Sequence, residues 1–172
     1  MTLKETTNFY GKKVVWHFTD RSNLASIMKY GLYSLEMLQK HNINVACYGA
    51  DALSHNLDRH YGLDKYVHLS FIKEHPMCYR KHQSGDIPNP IWLAIDISVL
   101  FKDDVLFATD VANKTGVPTY NIDQLFQQAD IEVLWGKTNW SDSEIKKRRI
   151  AAKKSELLVS NIIKPQYILK VA

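Results

Sequence analysis

The chain has 172 residues, enough for one domain whose hydrophobic core needs no disulfide to stabilise it. Hydrophobic residues make up 45% of the sequence and charged residues 23%, a balance that excludes a disordered chain. The formal net charge is +4, but nine Lys and Arg against three acids fall in residues 137–172, so the C-terminal segment is the electropositive part. Such a segment can attract a phosphate backbone, and it can equally be a solvated face.

Neither the cysteines nor the apolar stretches indicate a disulfide, a metal site or a membrane span. Cys47 and Cys78 stand in unrelated contexts, without a C-x-x-C pair or a His/Cys quartet at zinc spacing. No stretch approaches the roughly 18 apolar residues of a membrane span, and the first residues lack the apolar region of a signal peptide. We therefore expect a cytoplasmic, monomeric protein that forms a single domain over residues 1–172, with no metal and no membrane partner.

The first third of the chain predicts a strand followed by two helices. Residues 14–18 form a short β-rich run that ends at Thr19-Asp20, where helix-start residues occur. Residues 24–28 carry apolar side chains at helical spacing, and Gly31 stands where a left-handed C-terminal cap is expected. Ser34 then opens a shorter helix that runs to about Lys40.

The middle of the chain predicts a long loop and two strands. From His41 to Asp64 the periodicity is weak, which indicates a loop, or a loop with a helical turn around Asp51 to Arg59. Residues 66–71 alternate between apolar and polar side chains with the period of a strand. Residues 91–97 are typical of a central, mostly buried strand.

The last third alternates between helical and β-rich runs. Residues 122–128 predict a helix and residues 131–135 a strand. Ser141-x-x-Glu144 is a capping-box pattern that predicts a basic helix through about Lys154. Residues 156–159 and 166–171 predict two closing strands. Because helices and strands mix without regular βαβ alternation, the sequence favours an α+β fold.

Several standard signatures are absent, and three local patterns remain that could carry chemistry. The sequence has no G-x-G-x-x-G, P-loop, H-E-x-x-H or G-x-S-x-G motif. The first remaining pattern is His17-Phe18-Thr19 at the strand-to-helix junction, where His and Thr could hold an amide and a ribose hydroxyl by paired hydrogen bonds. The alternative is a histidine of the core whose hydrogen bonds are satisfied within the protein.

The second and third patterns lie further along the chain. Residues 66–71, followed by residues 73–79, place aromatic side chains, Met and Pro where they could stack on a planar ring and form an apolar wall. The alternative is a half-buried strand that enters a turn. In the third pattern Glu156 opens an apolar strand directly after the basic helix, which indicates either a charge at a strand edge or a site acid.

In this order the three patterns resemble the DarT-like ADP-ribosyltransferases, relatives of poly-ADP-ribose polymerases and diphtheria-type toxins. WHFTDRSNLASIMKYGL is similar to the family's opening, YVHLSFIKEHPMCY to its Tyr-Val-x-x-x-Phe-x-x-x-x-Pro-Met-x-Tyr segment, and SELLVSNIIKPQYI to its Glu-bearing close. The resemblance spans nearly the whole chain. It implies an α+β, single-domain ADP-ribosyltransferase-like split β-sheet core with flanking helices.

The resemblance implies a role for each residue that matches the family's motifs. His17 and Thr19 hold the nicotinamide ribose and carboxamide of NAD, and Asn23 supports that pocket. Phe71 and Met77 line the nicotinamide site. Ser70 stands where many relatives have Tyr, so the stacking ring is Phe71 or another aromatic side chain.

The catalytic residues that the resemblance implies are Glu156 and an arginine, either Arg59 or its competitor Arg80. Breaking the nicotinamide glycosidic bond builds oxocarbenium character on the ribose, and a carboxylate bonded to the 2′-hydroxyl stabilises that charge. This hypothesis requires His17 and Glu156 to meet at one cavity when the chain folds.

The acceptor is predicted from the residues before Glu156. Protein-modifying relatives resemble a pattern in which the residue two before the catalytic glutamate accepts a hydrogen bond. Lys154 stands at that position and cannot accept one. The basic segment favours a base in single-stranded DNA, and the resemblance implies a toxin restrained by a macrodomain antitoxin. Two alternatives stay open: chemistry on RNA, as ADP-ribosylation or NAD-dependent 2′-phosphate removal, and an inactive nucleic-acid-binding module of the same fold. The predicted nucleic-acid contacts are Lys146, Lys147, Arg148, Arg149, Lys153 and Lys154.

Overall fold

A seven-stranded antiparallel sheet forms the centre of the protein in the computed structural model, which describes residues 1–47 and 52–172 and, within that span, no side chains for residues 52–54. The strands in chain order are β1 (Val14–Asp20), β2 (Leu32–Tyr33), β3 (Tyr66–Ser70), β4 (Pro90–Asp96), β5 (Leu106–Ala108), β6 (Thr119–Asn121), β7 (Glu156–Ser160), β8 (Ile162–Ile163) and β9 (Ile168–Val171). The large sheet has the order β6-β5-β7-β3-β1-β4-β9, and β2 pairs with β8 in a small second sheet.

Short helices flank the sheet. Among the described residues these are α1 (Leu3–Phe9), α2 (Leu24–Tyr30), α3 (Leu35–Lys40), α4 (Ala52–His60), α5 (Pro76–Gln83), α6 (Leu125–Gln128), α7 (Ile131–Trp135) and α8 (Ser143–Ala152). The predicted helical turn in the long middle segment is therefore α4, although its expected first residue, Asp51, lies outside the described residues. None of the described helices is long and apolar enough to cross a bilayer.

The large sheet is split between β1 and β3. These strands share a single register pair, Trp16 with Ser70, whereas β1 pairs with β4 over the whole length of both strands and β3 pairs with β7 from Tyr66 to Ser70. Beyond the shared pair the two halves of the sheet separate. The α+β fold with a split sheet and flanking helices is confirmed.

Strand β7 lies inside the sheet, because β3 pairs with one of its edges and β5 with the other. Leu157, Leu158 and Val159 are fully buried, as expected for an interior strand covered on both faces. Leu157 and Val159 pack in the main core, while Leu158 packs with Ala108, Ala112 and Leu63 on the other side. Alternation along the strand therefore places Glu156 on the same side as Leu158.

The prediction of a strand at residues 131–135 is wrong, because these residues form helix α7. A short apolar run has no periodicity that separates a strand from a buried helical turn. Four of the five side chains are buried, and Trp135 donates its indole N–H to the carbonyl of Phe71 at 3.1 Å. Packing against several parts of the core therefore decides the conformation here.

The basic helix begins one residue later than the capping-box pattern predicts. Asp142, not Ser141, is the N-cap of α8, and its carboxylate accepts the N–H groups of Glu144 and Ile145 at 2.8 and 3.2 Å. The helix ends at Ala152 rather than Lys154. Because a carboxylate at the N-terminus also interacts favourably with the helix dipole, Asp142 is the stronger cap.

Some elements went unpredicted. Strands β5 and β6 have three residues each, too few to show a period. Helix α1 did carry a signal, since Thr2 and Glu5 form the capping box that the S/T-x-x-E pattern describes. Helix α5 also carried one, because Pro76 occupies its first turn.

Gly31 fixes the end of α2 against the small sheet. It has φ +96°, and a Cβ at this position would overlap the carbonyl oxygen of Ile163 on β8. Gly85 has a similar φ of +83° but open space around its Cα. We expect Gly85→Ala to lower the free energy of unfolding by about 1–2 kcal/mol, through backbone strain alone.

Gly31→Ala should cost more, roughly 3 kcal/mol, because β8 must also move. Urea unfolding of both variants beside the wild type measures the difference. Equal losses in the two variants would show that the contact between residue 31 and β8 contributes nothing.

Candidate active site

A cavity of about 260 Å³ opens where the sheet splits. Strand β1 contributes His17, Phe18 and Thr19 to its wall, β3 contributes residues 66–70, and β7 contributes Glu156. His17 and Glu156 therefore line the same cavity, as the hypothesis requires. The remaining wall includes Asn23, Tyr30, Gly31, Tyr33, Cys47, His55, Asp58, Asp64, Met77, Val111 and Asn113.

The Glu156 carboxylate is held by groups from three segments. Its Oε2 accepts the backbone N–H of Ala112 at 2.8 Å and a ring N–H of His68 at 3.4 Å. Its Oε1 lies 3.8 Å from Nε2 of His75. The side chain is only 13% exposed, and β7 is an interior strand, so the strand-edge interpretation is wrong and Glu156 is a carboxylate within a cavity.

His68 is the charged partner of Glu156. Its Nδ1 faces the carboxylate and its Nε2 faces the carbonyl of Leu63 at 3.4 Å, so both ring nitrogens meet acceptors and favour the doubly protonated ring. Burial works to lower the pKa of His68, but the bond to Glu156 and the charges of Glu156 and Asp58 raise it to about 9. Burial works to raise the pKa of Glu156, and His68, His75 and the Ala112 N–H together lower it.

His75 supports the same carboxylate as a neutral ring. It is the N-cap of α5, where its Nδ1 accepts the N–H of Met77 at 3.2 Å. Its Nε2–H donates to the carbonyl of Lys154 at 3.3 Å and points toward Glu156. Burial of this almost inaccessible side chain lowers its pKa. The sequence signal was a histidine directly before a helix-starting proline.

His17 is also neutral, for a different reason. Its Nδ1–H donates to the carbonyl of His68 at 2.9 Å, and burial lowers the pKa of the ring to about 4. A neutral ring protonated at Nδ1 keeps Nε2 as an acceptor. The first predicted motif thus supplies a hydrogen-bond acceptor, not a cation.

Asn23 connects Thr19 on β1 to Cys47, and both of these residues line the cavity. Its amide N–H₂ donates to the Thr19 hydroxyl at 3.1 Å and to the Cys47 carbonyl at 2.6 Å, while its oxygen accepts the Cys47 N–H at 3.1 Å. Asn23 is buried, and its bond to Thr19 is shielded from solvent, whereas its bonds to Cys47 are partly buried. It therefore holds Thr19 in place, as a supporting residue does.

Met77 lines the cavity, but Phe71 does not. Phe71 is 2% exposed and packs with its ring centroid 5.7 Å from that of Trp135 in the core. Alternation along the chain directs Phe71 away from the side that Ser70 faces. The prediction that Phe71 lines the nicotinamide site is therefore wrong, because this side chain lies in the core. Among the described residues, the Phe and Tyr side chains that line the cavity are Phe18, Tyr30, Tyr33 and Tyr66.

Neither predicted arginine reaches the cavity. Arg59 is exposed near the end of α4 and donates to Asn56 at 3.3 Å, and Arg80 is exposed on α5. From α4 it is His55 and Asp58 that face the cavity. No Lys or Arg is among the described residues of the wall, and in the described ranges no group of His, Cys, Asp and Glu could hold a metal ion.

Most of the basic side chains in and directly after α8 have partners within the protein. Arg148 bonds to Asp130 and Glu132 at 2.6–2.8 Å, and Lys153 bonds to Glu74 at 2.7 Å. Arg149 donates to the Val133 carbonyl and its guanidinium lies 4.0 Å from the Trp140 ring centroid; Lys147 pairs with Glu144.

Four of the six residues predicted to contact nucleic acid thus have partners that a charge count along the chain cannot reveal, and their contact with nucleic acid stays a prediction. Within the described part of the chain, Lys146 and Lys154 form no ion pair. None of the six lines the cavity, although the Lys154 backbone touches His75.

Comparisons with known proteins give a family and a fold. A family model described as "ssDNA thymidine ADP-ribosyltransferase, DarT" matches residues 16–172. No curated protein sequence matches the chain.

Solved DarT structures from Thermosipho africanus and Thermus sp. 2.9 have a similar fold. Thermosipho africanus DarTG in complex with ADP-ribose has a TM-score of 0.69 at 22% identity, covering 93% of this chain and 43% of that one. Thermus sp. 2.9 DarT in complex with ADP-ribosylated ssDNA has a TM-score of 0.69 at 16% identity, covering 92% of this chain and 80% of that one. The same Thermus protein with NAD+ has a TM-score of 0.61 at 16% identity, covering 92% and 80%. The chain thus spans less than half the length of the Thermosipho protein.

The pairing of His68 with Glu156 makes a pH-dependent prediction. Because the pKa of His68 is raised from 6.5 to about 9, its contribution to stability is full below pH 6.5 and is lost as the pH rises toward 9. We expect Glu156→Gln to lower the pKa of His68. The free energy of unfolding should then vary less with pH across this range. NMR titration of the imidazole and urea unfolding at several pH values measure both.

Glu36→Gln is the matched control, since Glu36 is exposed on α3. It should leave the His68 titration unchanged. A His68 resonance that titrates at the same pH in the wild type and Glu156→Gln would contradict the pairing.

Proposed function

Since the chain belongs to the DarT family of single-stranded-DNA thymidine ADP-ribosyltransferases, we propose that it transfers ADP-ribose from NAD to a thymine base in single-stranded DNA. The observation that carries this proposal is the ionised Glu156, which shares a small cavity with His17 and Thr19. NAD is the substrate seen in the Thermus DarT complex.

The cavity is suited to the nicotinamide riboside end of NAD. Its volume of about 260 Å³ lies just below the range of roughly 300–1,000 Å³ for pockets that enclose a whole drug-sized ligand. His17 offers an acceptor at Nε2, Thr19 a hydroxyl, and Phe18 and Tyr66 aromatic surface. Asn23 keeps Thr19 in place.

Glu156 is the proposed catalytic carboxylate. As the glycosidic bond to nicotinamide breaks, nicotinamide leaves with the bonding electrons and the ribose gains positive charge. A carboxylate hydrogen-bonded to the 2′-hydroxyl stabilises that charge as it forms. The thymine ring nitrogen then bonds to the anomeric carbon and releases its proton, which Glu156 or water accepts.

Three observations support unpaired DNA as the acceptor. The family description names it, and the Thermus neighbour was solved with ADP-ribosylated ssDNA. A ring nitrogen that is paired within a duplex is unreachable unless the base is extruded. We assign the phosphate contacts to Lys146 and Lys154, which form no ion pair among the described residues.

We extend the proposal to biological role. A DNA-modifying enzyme of this kind acts as a toxin in the cytoplasm, where NAD and DNA meet, and a macrodomain antitoxin that removes the mark would restrain it. The name DarTG of the Thermosipho neighbour is consistent with a partnered toxin.

Labelled NAD tests the reaction directly. We expect label on thymidine-containing single-stranded DNA oligomers, and we expect Glu156→Gln to lower the transfer rate by about 10²–10³-fold, as loss of a charge-stabilising group does. Glu36→Gln should transfer label at the wild-type rate. Label on RNA oligomers alone would overturn the DNA assignment, and no transfer to any acceptor would overturn the enzyme.

Cell growth tests the toxin role separately. Cells that express the wild type should stop growing, whereas cells that express Glu156→Gln at the same level should grow. Equal growth of the two cultures, with transfer shown in vitro, would contradict toxicity.

A further inference from the structure

The cation beside Glu156 is a residue that the sequence analysis did not select as part of the site. It is a histidine on the neighbouring strand β3, held by a carboxylate on one side of its ring and by a backbone carbonyl on the other. In the Tyr66–Phe71 segment, His68 stood out only as a polar position of an alternating strand. The register that pairs Ser70 with Glu156 brings this side chain to the carboxylate.

The groups that face His68 come from every element packed around it. Glu156 lies on β7 and Asp58 on α4, and both carry negative charge that favours the imidazolium. The neutral rings of His17 and His75 lie on β1 and before α5, and the Leu63 carbonyl closes the site. Asp58 in turn accepts a hydrogen bond from Asn113 at 3.1 Å and lies near His55 on its own helix, while the His68 ring bonds Glu156 directly.

The two oxygens of Glu156 have different surroundings. Oε2 accepts from both Ala112 and His68, so its lone pairs are occupied. Among the residues that the structure describes, Oε1 has only the longer approach of 3.8 Å from His75. If the imidazolium were absent, burial would favour the neutral acid, and a neutral acid cannot stabilise an oxocarbenium ion.

We propose that His68 is a positioning residue for ADP-ribosyl transfer, whose imidazolium keeps Glu156 ionised and leaves Oε1 of the carboxylate for the ribose 2′-hydroxyl. This inference rests on the proposed function. His68 itself touches no substrate in this assignment, and it neither gains nor loses a proton during the transfer.

The test compares pH profiles of kcat and of KM for NAD. In His68→Gln the acid limb of kcat should move to higher pH, because Glu156 loses the charge that keeps it ionised. At a pH below the displaced limb, kcat then falls roughly tenfold for each unit of displacement, while KM changes little, and activity recovers as the pH is raised. His68→Lys, which restores the charge, should keep the acid limb at low pH.

His60→Gln is the matched control, because His60 is exposed on α4 and does not line the cavity. It should show the wild-type profile. An acid limb in folded His68→Gln that coincides with the wild-type limb would overturn the proposal. If His68→Gln does not fold, His68→Lys decides, since an acid limb displaced upward despite the retained charge is equally contrary to the proposal.

A second readout does not depend on activity. The ¹³C resonance of the Glu156 carboxyl should titrate at higher pH in His68→Gln than in the wild type. If the wild type transfers no ADP-ribose at all, the proposed function fails while this titration still decides whether His68 keeps Glu156 ionised. An unchanged carboxyl titration would reject the role of His68 by itself.

Discussion

The hydrogen bond from the His17 ring to the His68 carbonyl is the contact on which the site depends. Strands β1 and β3 share one register pair and then separate, which would leave backbone groups of both strands without ladder partners. The His17 side chain satisfies one of those carbonyls across the gap. The sheet can therefore stay open beside it, and the opening is the cavity that Glu156 enters from the adjacent strand.

Three histidines around the Glu156 site, His17, His68 and His75, differ in charge because their partners differ. His17 bonds to a carbonyl alone, and burial keeps it neutral. His75 accepts a backbone N–H at one nitrogen, so it is also neutral. His68 meets a carboxylate and a carbonyl, and it is the one that takes the proton. A buried carboxylate and its imidazolium offset each other's desolvation, which isolated charges in this place could not do.

The parts of the site that the sequence predicted lie at element boundaries. His17 and Thr19 lie in the second half of β1, Asn23 is the N-cap of α2 and Glu156 begins β7, so local patterns marked these places and the family resemblance selected the residues. Ser34 was recognised as a helix start for the same reason, and it caps α3.

The parts that sequence reasoning missed depend on contacts between distant segments. His68 matters only because β3 pairs with β7 in a register that places Ser70 opposite Glu156. Phe71 was assigned to the cavity although alternation turns it into the core beside Trp135. The ion pairs of α8 and Lys153 were missed because their partners Glu74, Asp130 and Glu132 lie on other segments of the chain.

The charges of the cavity wall also favour one end of NAD over the other as the end that enters the cavity in the proposed reaction. Asp58, Asp64 and Glu156 line the wall beside the His68 imidazolium, and no Lys or Arg is among its described residues, so the acids outnumber the cation. The nicotinamide ring of NAD is a cation and its diphosphate is an anion, so this wall attracts the first and repels the second. The positive charge then moves from the departing ring to the ribose, still beside Glu156. A cavity with an arginine at this depth would favour the diphosphate instead, and the displacement of Arg59 and Arg80 to the surface is therefore consistent with the nicotinamide end entering first.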